Sequence, residues 1–383
     1  MTTDLQSTDH EIENILPGNL QLYTEVDNIW MISHAADLPG VPMWVGFNSQ
    51  IYDSDTPQQH ISYLAPINAS PTSNSVVLET MHQSKKIAAE LNQSSIQVTY
   101  DLAIAKVALQ IQSTEKPTFD NLFIHLGPFH IMMAYFKAVG KFINDCGLTN
   151  IMVESNLLAN GSVNGFIDGK HFNRCKRLHP LMALGLEIMH FKSFLQIKNV
   201  SLTDDIIGEL RRLQNCKISS FQIENENLKE LLNNYLIYKQ QSFNGEFGKT
   251  QQFYMIYINL IHHYLHLSRS IRTGDFELFK TILPKITNLF FICNQQNYAR
   301  WTVKYVDNLI KVSETHPELY EGFKQGFFGI KRTTKPFSRQ PIDLVLEQTI
   351  NADAARRLTG VIHFTNSISA RQLFTFHNCI TFF

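Results

Sequence analysis

A short apolar stretch, Ile96-Gln97-Val98-Thr99-Tyr100, runs directly into a carboxylate, Asp101. Further on, Asn121-Leu122-Phe123-Ile124-His125 runs into Gly127-Pro128-Phe129-His130. An acid at the end of one strand, beside a strand that ends in histidines, suits metal-assisted phosphate chemistry. Mg2+ is a hard cation that takes carboxylate oxygens from separate elements. Two such ions activate water and stabilise a leaving oxygen. His125 and His130 are of the type that orients phosphate or moves a proton. Each feature has a plainer reading. Aspartate is a favoured helix N-cap, so Asp101 fits the start of the following helix equally well. The histidines fit packing at a strand-to-helix junction, with each ring hydrogen-bonded.

A second set of chemistry-bearing residues lies later. His262 and His266 share one face of a helix and are spaced to bind a metal, with His263 beside them. No acid stands between them in the arrangement of a helical zinc protease, so the plainer reading is a helix carrying surface histidines. Two basic segments offer contacts to DNA phosphates: Lys170, Arg174, Lys176 and Arg177, then Lys331, Arg332, Lys335 and Arg339. Phe172 and Phe337 lie among them, and an aromatic ring can stack on an unpaired base. Solvated surface is the alternative for both. Arg300, flanked by Tyr298 and Trp301, suits a buried ion pair or a stacking contact.

The elements that must position these residues follow from period and punctuation. Residues 1–27 read as a polar lead-in, and the stretch from Trp30 to Phe47 as β-like, with strands over 43–47 and 60–66. Ser70-Pro71 signals a helix start, with an apolar face through Leu91. Strand 96–100, a helix, strand 122–125 and a helix over 130–144 follow. Helices are predicted over 181–195, 204–213, 227–240, 253–270, 276–291, 298–312 and 318–326. A basic loop then leads to a last helix over 342–357. Strands alternating with helices imply a mixed sheet covered by helices. The resulting division is a sheet-bearing part over 28–145, a mainly helical insertion over 146–325, a basic loop and helix over 326–371, and an unpatterned, truncated-looking tail over 372–383.

Bulk properties narrow the classes. The 383 residues are 44% hydrophobic and 17% charged, with a net charge of -1. This is globular, with no overall basic field, so any nucleic-acid contact must come from local patches. The cysteines, Cys146, Cys175, Cys216, Cys293 and Cys379, show no paired spacing, which argues against a zinc finger or a disulfide scaffold. No apolar run reaches the roughly 18 residues of a membrane helix. The N-terminal residues do not resemble a signal peptide. An intracellular location is expected, with cytoplasm and nucleus both open.

Several segments resemble a widespread family in invertebrate genomes related to transposable elements. They are Trp44-Val45-Gly46-Phe47-Asn48-Ser49, Tyr100-Asp101-Leu102-Ala103-Ile104-Ala105-Lys106, Leu126-Gly127-Pro128-Phe129-His130 and Gly169-Lys170-His171-Phe172-Asn173-Arg174. The strongest is the run Lys331-Arg332-Thr333-Thr334-Lys335-Pro336-Phe337-Ser338-Arg339, with Leu346-Glu347-Gln348-Thr349-Ile350-Asn351-Ala352-Asp353-Ala354 after it. A looser resemblance is to DDE transposases. It implies an α/β fold: an RNase H-like mixed sheet with flanking helices and a large α-helical insertion. Asp101 matches the second acid of that pattern and Glu347 the third. The first falls near Asn48, an amide that adds no charge and weakens metal binding. Asp53 and Asp55 are weaker substitutes, and Asp353 is expected to bond locally. The resemblance thus implies a degenerate DDE-type transposase or nuclease. Asp101, Glu347 and, weakly, Asn48 are its metal candidates, Asp101, Glu347 and His130 its catalytic candidates, Mg2+ its cofactor if active, and DNA its partner. A non-catalytic interaction or structural scaffold is the alternative.

Overall fold

The computed structural model describes residues 18–53, 58, 59, 61, 62, 67 and 69–348. Asp55, Asp353, the tail and most of the strand expected over 60–66 lie outside the described residues.

The chain opens with α1 (Gly18–Ala35) and α2 (Trp44–Ile51). Both correct the sequence reading. The expected first strand over 43–47 is largely α2, because Trp44, Phe47, Asn48 and Ile51 are buried at helical spacing. A short apolar run has no decisive period of its own, and its packing partners choose. Here the Trp44 indole N–H donates to Asp27 of α1 at 2.8 Å. The described part of the predicted lead-in is the first half of α1, with Tyr23, Val26 and Asp27 buried.

α3 (Asn74–Glu90) is capped by Ser73, whose hydroxyl accepts from Val76 N, so the start signal at Ser70-Pro71 falls about a turn early. Then come β1 (Ile96–Tyr100), α4 (Leu102–Thr114), β2 (Leu122–Leu126) and α5 (Pro128–Ile143), in the predicted order. The strands pair in parallel, from Ile96 opposite Leu122 to Tyr100 opposite Leu126. Every residue of both is buried, as expected of parallel strands covered by helices. Among the described residues these two strands are the whole sheet. The RNase H-like mixed sheet is therefore overturned, and the fold is predominantly helical. One βαβ unit supplies the alternation that suggested a larger sheet.

The rest is helical: α6 (Leu148–Glu154), α7 (Val163–Ile167), α8 (Phe172–Lys198), α9 (Asp204–Gln214), α10 (Glu226–Phe243), α11 (Lys249–Thr273) and α12 (Phe276–Ile292). α13 (Gln296–Ile310), α14 (Val312–Thr315), α15 (Pro317–Lys324) and α16 (Ile342–Leu346) complete it. Helix α8 starts well before the predicted 181 and runs through Pro180. One continuous set of buried apolar side chains extends from Val26 to Phe337, so the helices after residue 146 share a core with the βαβ unit. Tyr135 of α5 donates to the Leu260 carbonyl of α11 at 2.8 Å, and Phe136 packs on Tyr264 at 4.5 Å.

Helix α11 packs against α5, α8, α10 and α12, and near its end it carries Arg269, which is fully buried. Its guanidinium donates to both Asp27 oxygens, at 2.6 and 2.9 Å, and to Asn48 Oδ1 at 3.1 Å. It also lies over Tyr23 and Trp44, at 5.0 and 5.2 Å from the ring centroids. Burial would raise the Asp27 pKa, but the charge and hydrogen bonds of Arg269 outweigh it and hold it below its ordinary value. Such a carboxylate contributes stability above its ordinary pKa, and that contribution is lost as pH falls through the folded value. Arg269→Met leaves the Asp27 charge buried and unpaired, which costs about 3–5 kcal/mol. In urea titrations the variant should lose most at neutral pH and recover part of the loss at pH 5, as the unpaired Asp27 takes up a proton. An equal loss at both pH values would contradict this account of the pair.

Candidate functional site

The parallel register brings the ends of β1 and β2 to one edge, where α4 and α5 begin. The Gly127 N–H donates to the Tyr100 carbonyl at 2.8 Å across that edge. Asp101 is the N-cap of α4, with Oδ1 accepting from Ile104 N at 2.9 Å. Helix α5 starts at Gly127, which has no side chain to cap it. A remote carboxylate does so instead. Asp343 of α16 accepts from the backbone N–H groups of Phe129 and His130, both at 3.1 Å, and contacts His130 Nδ1 at 3.0 Å. A carboxylate is favoured at a helix N-terminus by the unsatisfied N–H groups and the helix dipole. Position 127 must be glycine for this to work, since a Cβ there would lie 2.2 Å from Asp343 Oδ2.

His130 is thereby oriented by a carboxylate while its side chain keeps 28% exposure. Burial pulls its pKa down, but the hydrogen bond and charge of Asp343, helped by Asp101 and Glu347, outweigh it, and the net shift is upward. Asp101 shares one cleft wall with this imidazole, and the Glu347 charge adds to the upward shift. Glu347 follows Asp343 by one helical turn, on the same face. Among the described residues, the close group of three potential metal ligands is elsewhere, at Asp27, His262 and His266.

Asp101 and His130 line an open cleft of about 620 Å³, together with Lys106, Lys137 and Lys141 and the first turn of α13. The N-cap of α13, Gln295, makes no side-chain cap, so the first-turn N–H groups are available to an anion. Gly169 has a φ of +69° and packs so tightly on α5 that a Cβ would lie 2.7 Å from Met133 O and 2.8 Å from Lys137 N. That approach sets Lys170, which is exposed and pairs with Asp168 at 2.8 Å, beside this lysine-bearing helix. The cleft combines ammonium groups, amide N–H groups and an imidazole, which are donors for phosphate oxygens.

Other predicted residues are placed differently. Asn48 is fully buried, donating to the Trp44 carbonyl and accepting from Arg269, and so is committed to the core. Asp53 pairs with Lys217 at 3.0 Å. His125 is fully buried against the Tyr305 hydroxyl at 2.7 Å, and burial lowers its pKa to about 4, so it is a neutral core residue. In the first basic segment Arg174 and Arg177 are exposed, and Lys176 lies over the buried Phe172. Phe172 packs on Phe129 at 4.8 Å and is not open to a base. In the second segment only Lys335 is well exposed, with Arg332 intermediate. Lys331 and Arg339 are buried, contrary to a DNA-contact role. Arg339 donates to the carbonyls of Thr273 and Gln325, both at 3.0 Å. Phe337 is buried and stacked on Tyr52 at 5.2 Å. Arg300 is exposed rather than paired inside. His266 is buried and His262 and His263 are half-buried, so these are not surface histidines.

The residue that sequence reasoning misses is Asp343. It looks like an ordinary first-turn acid, and its one available signal is its spacing of four from Glu347.

A family profile, Domain of unknown function (DUF8702), matches residues 43–383, and the chain belongs to that family. No curated protein and no solved structure matches the chain. Within the described residues no helix is long and apolar enough to cross a membrane.

A raised folded pKa for His130 means that its contribution to stability is complete below about pH 6.5 and is lost as pH rises through the folded value. The His130 ring resonances should titrate above those of an ordinary histidine, and Asp343→Asn should bring them down. Removing the charge from these hydrogen bonds should also destabilise the fold by about 1.5–3 kcal/mol. An unchanged His130 titration in that variant would remove the carboxylate–imidazole pairing from the account.

Proposed function

We propose that the cleft between α4, α5 and α13 binds the phosphate backbone of nucleic acid, and that the chain is a DNA-binding protein of transposon origin. One observation carries the reading: Lys106, Lys137 and Lys141 converge with His130 on the open N-terminus of α13. With a net charge of -1, binding depends on this local field rather than on the whole molecule.

Asp101 stands in the same wall and would repel a phosphate. Asp101 would help to hold a Mg2+ ion, which would offset that repulsion, since Mg2+ is bound by one or two carboxylates plus substrate phosphate. Glu347, within electrostatic reach of His130, is the candidate second carboxylate. The bound cation would polarise the phosphate as a Lewis acid. In hydrolysis, water would add to the phosphorus as the bond to the leaving oxygen breaks; His130, held by Asp343, would give that oxygen its proton, and the water's proton would pass to solvent. This is the second reading, a residual Mg2+-dependent nuclease.

DNA affinity measured by fluorescence anisotropy should fall steeply with salt. Replacing the exposed Lys137 and Lys141 by alanine should lessen the slope of log affinity against log salt by about two, roughly one per lysine. Salt-insensitive binding, or a slope unchanged in the double variant, would refute the cleft as the phosphate site. Cleavage that requires Mg2+ and disappears in Asp101→Ala would establish the second reading.

A further inference from the structure

Away from the sheet edge, α1, α10 and α11 enclose a larger cavity of about 910 Å³, with His262, His263 and His266 in its wall. We propose that Asp27, His262 and His266 form a binding site for a divalent transition metal of the zinc class.

Three observations converge on it. The first is spacing. His262 and His266 are one turn apart on α11, and one donor atom from each lies within 4.8 Å of the others and of an Asp27 oxygen. Donors around tetrahedral zinc lie roughly 3.3 Å apart, given bonds of about 2.0–2.1 Å. Metal binding would draw the donors together by up to about 1.5 Å. The second is the outer shell. His262 Nε2 lies 2.9 Å from Glu187 Oε2, and Glu187 is held in turn by Lys239 at 2.6 Å. A buried carboxylate on one ring nitrogen fixes the tautomer and leaves the Nδ1 lone pair for a metal, as is usual for metal-binding histidines. The third is the carboxylate. Asp27 Oδ1 accepts from both Arg269 and Trp44, whereas Oδ2 accepts from Arg269 alone, which leaves it a lone pair.

The nearby positive charges do not forbid a cation. Asp27 with Arg269, and Glu187 with Lys239, each sum to zero. The loaded site would carry the two charges of the ion, as does zinc on three neutral histidines. Arg269 lies 3.5 Å from His266 Nδ1, too long a contact to dictate that ring's tautomer. Two imidazoles and one carboxylate select zinc-class ions over Mg2+ or Ca2+, and a three-ligand set leaves a coordination position for water.

The test uses tag-free, chelator-stripped full-length protein equilibrated with Zn2+ or Co2+. The wild type should take up one ion per chain, with the visible absorption of four-coordinate Co2+ and without a sulfur-to-cobalt band. His262→Gln retains a donor toward Glu187 and should preserve the fold, verified by circular dichroism, while binding at least tenfold more weakly. His266→Gln serves as the second variant, and excess Mg2+ should not compete. Folded wild-type protein that takes up no Zn2+ or Co2+, equal affinity in His262→Gln, or a cysteine-sulfur signature would each overturn the site.

Discussion

Three helices meet on one buried charge pair. Arg269, near the end of α11, is inaccessible to solvent and grips Asp27 of α1 through both carboxylate oxygens. Trp44 and Asn48 of α2 complete the contact. Removing two ions from water costs several kcal/mol each, and only close geometry with further hydrogen bonds returns it. That requirement dictates the local structure. Helix α2 must present an indole N–H and an amide oxygen on the same face, which residues four apart on a helix do and alternating residues of a strand do not reproduce at this rise. The pair thus chooses helix for a segment whose short apolar run suits either state. It also ties the beginning of the described chain to α11, a helix of 25 residues.

The second tie joins the other end of the described chain to the sheet. The βαβ unit alone leaves the start of α5 with unsatisfied N–H groups, because Gly127 offers no capping oxygen. Asp343 supplies it from more than two hundred residues away in sequence. The same carboxylate orients His130, so the contact that closes the fold also prepares the imidazole in the cleft. Structure and candidate chemistry share one residue, and glycine at 127 is the steric condition for both.

What was legible in the sequence follows from which forces are local. The unit from β1 to α5 reads correctly because buried parallel strands are continuous apolar runs and Asp101 suits a helix N-cap, although α5 begins two residues before the predicted 130. The helices from α9 to α13 read correctly because long periodic faces dominate their windows. The larger sheet did not survive: of its two further expected strands, the one over 43–47 is largely helix, where burial against Asp27 and Arg269 decides the outcome, and the one over 60–66 lies mostly outside the described residues. The cleft was half legible. Asp101 and His130 lie at strand ends, where sites gather in parallel sheets. Asp343 was hidden because capping across the fold has no local signature. The second basic segment misled because charge in a sequence says nothing of burial: Arg339 satisfies backbone carbonyls inside the protein.

A buried guanidinium–carboxylate pair adds little stability over apolar residues of the same volume, so stability alone does not account for Asp27 and Arg269. What an apolar replacement could not do is keep a carboxylate ionised and fixed in direction inside the protein. Burial by itself would protonate Asp27, and Arg269 prevents it. The same helix presents His266 and His262 toward that carboxylate, and burial leaves His266 neutral, with its pKa lowered to about 3. Glu187 likewise remains ionised despite burial, through Lys239 and His262. Two costly ion pairs therefore flank two imidazoles along a cavity wall, and each pair fixes a group whose direction would otherwise be free. A core under selection for packing alone would fill this space with leucine and phenylalanine. Polar atoms held at this expense in fixed orientation are the arrangement on which the proposed metal site rests.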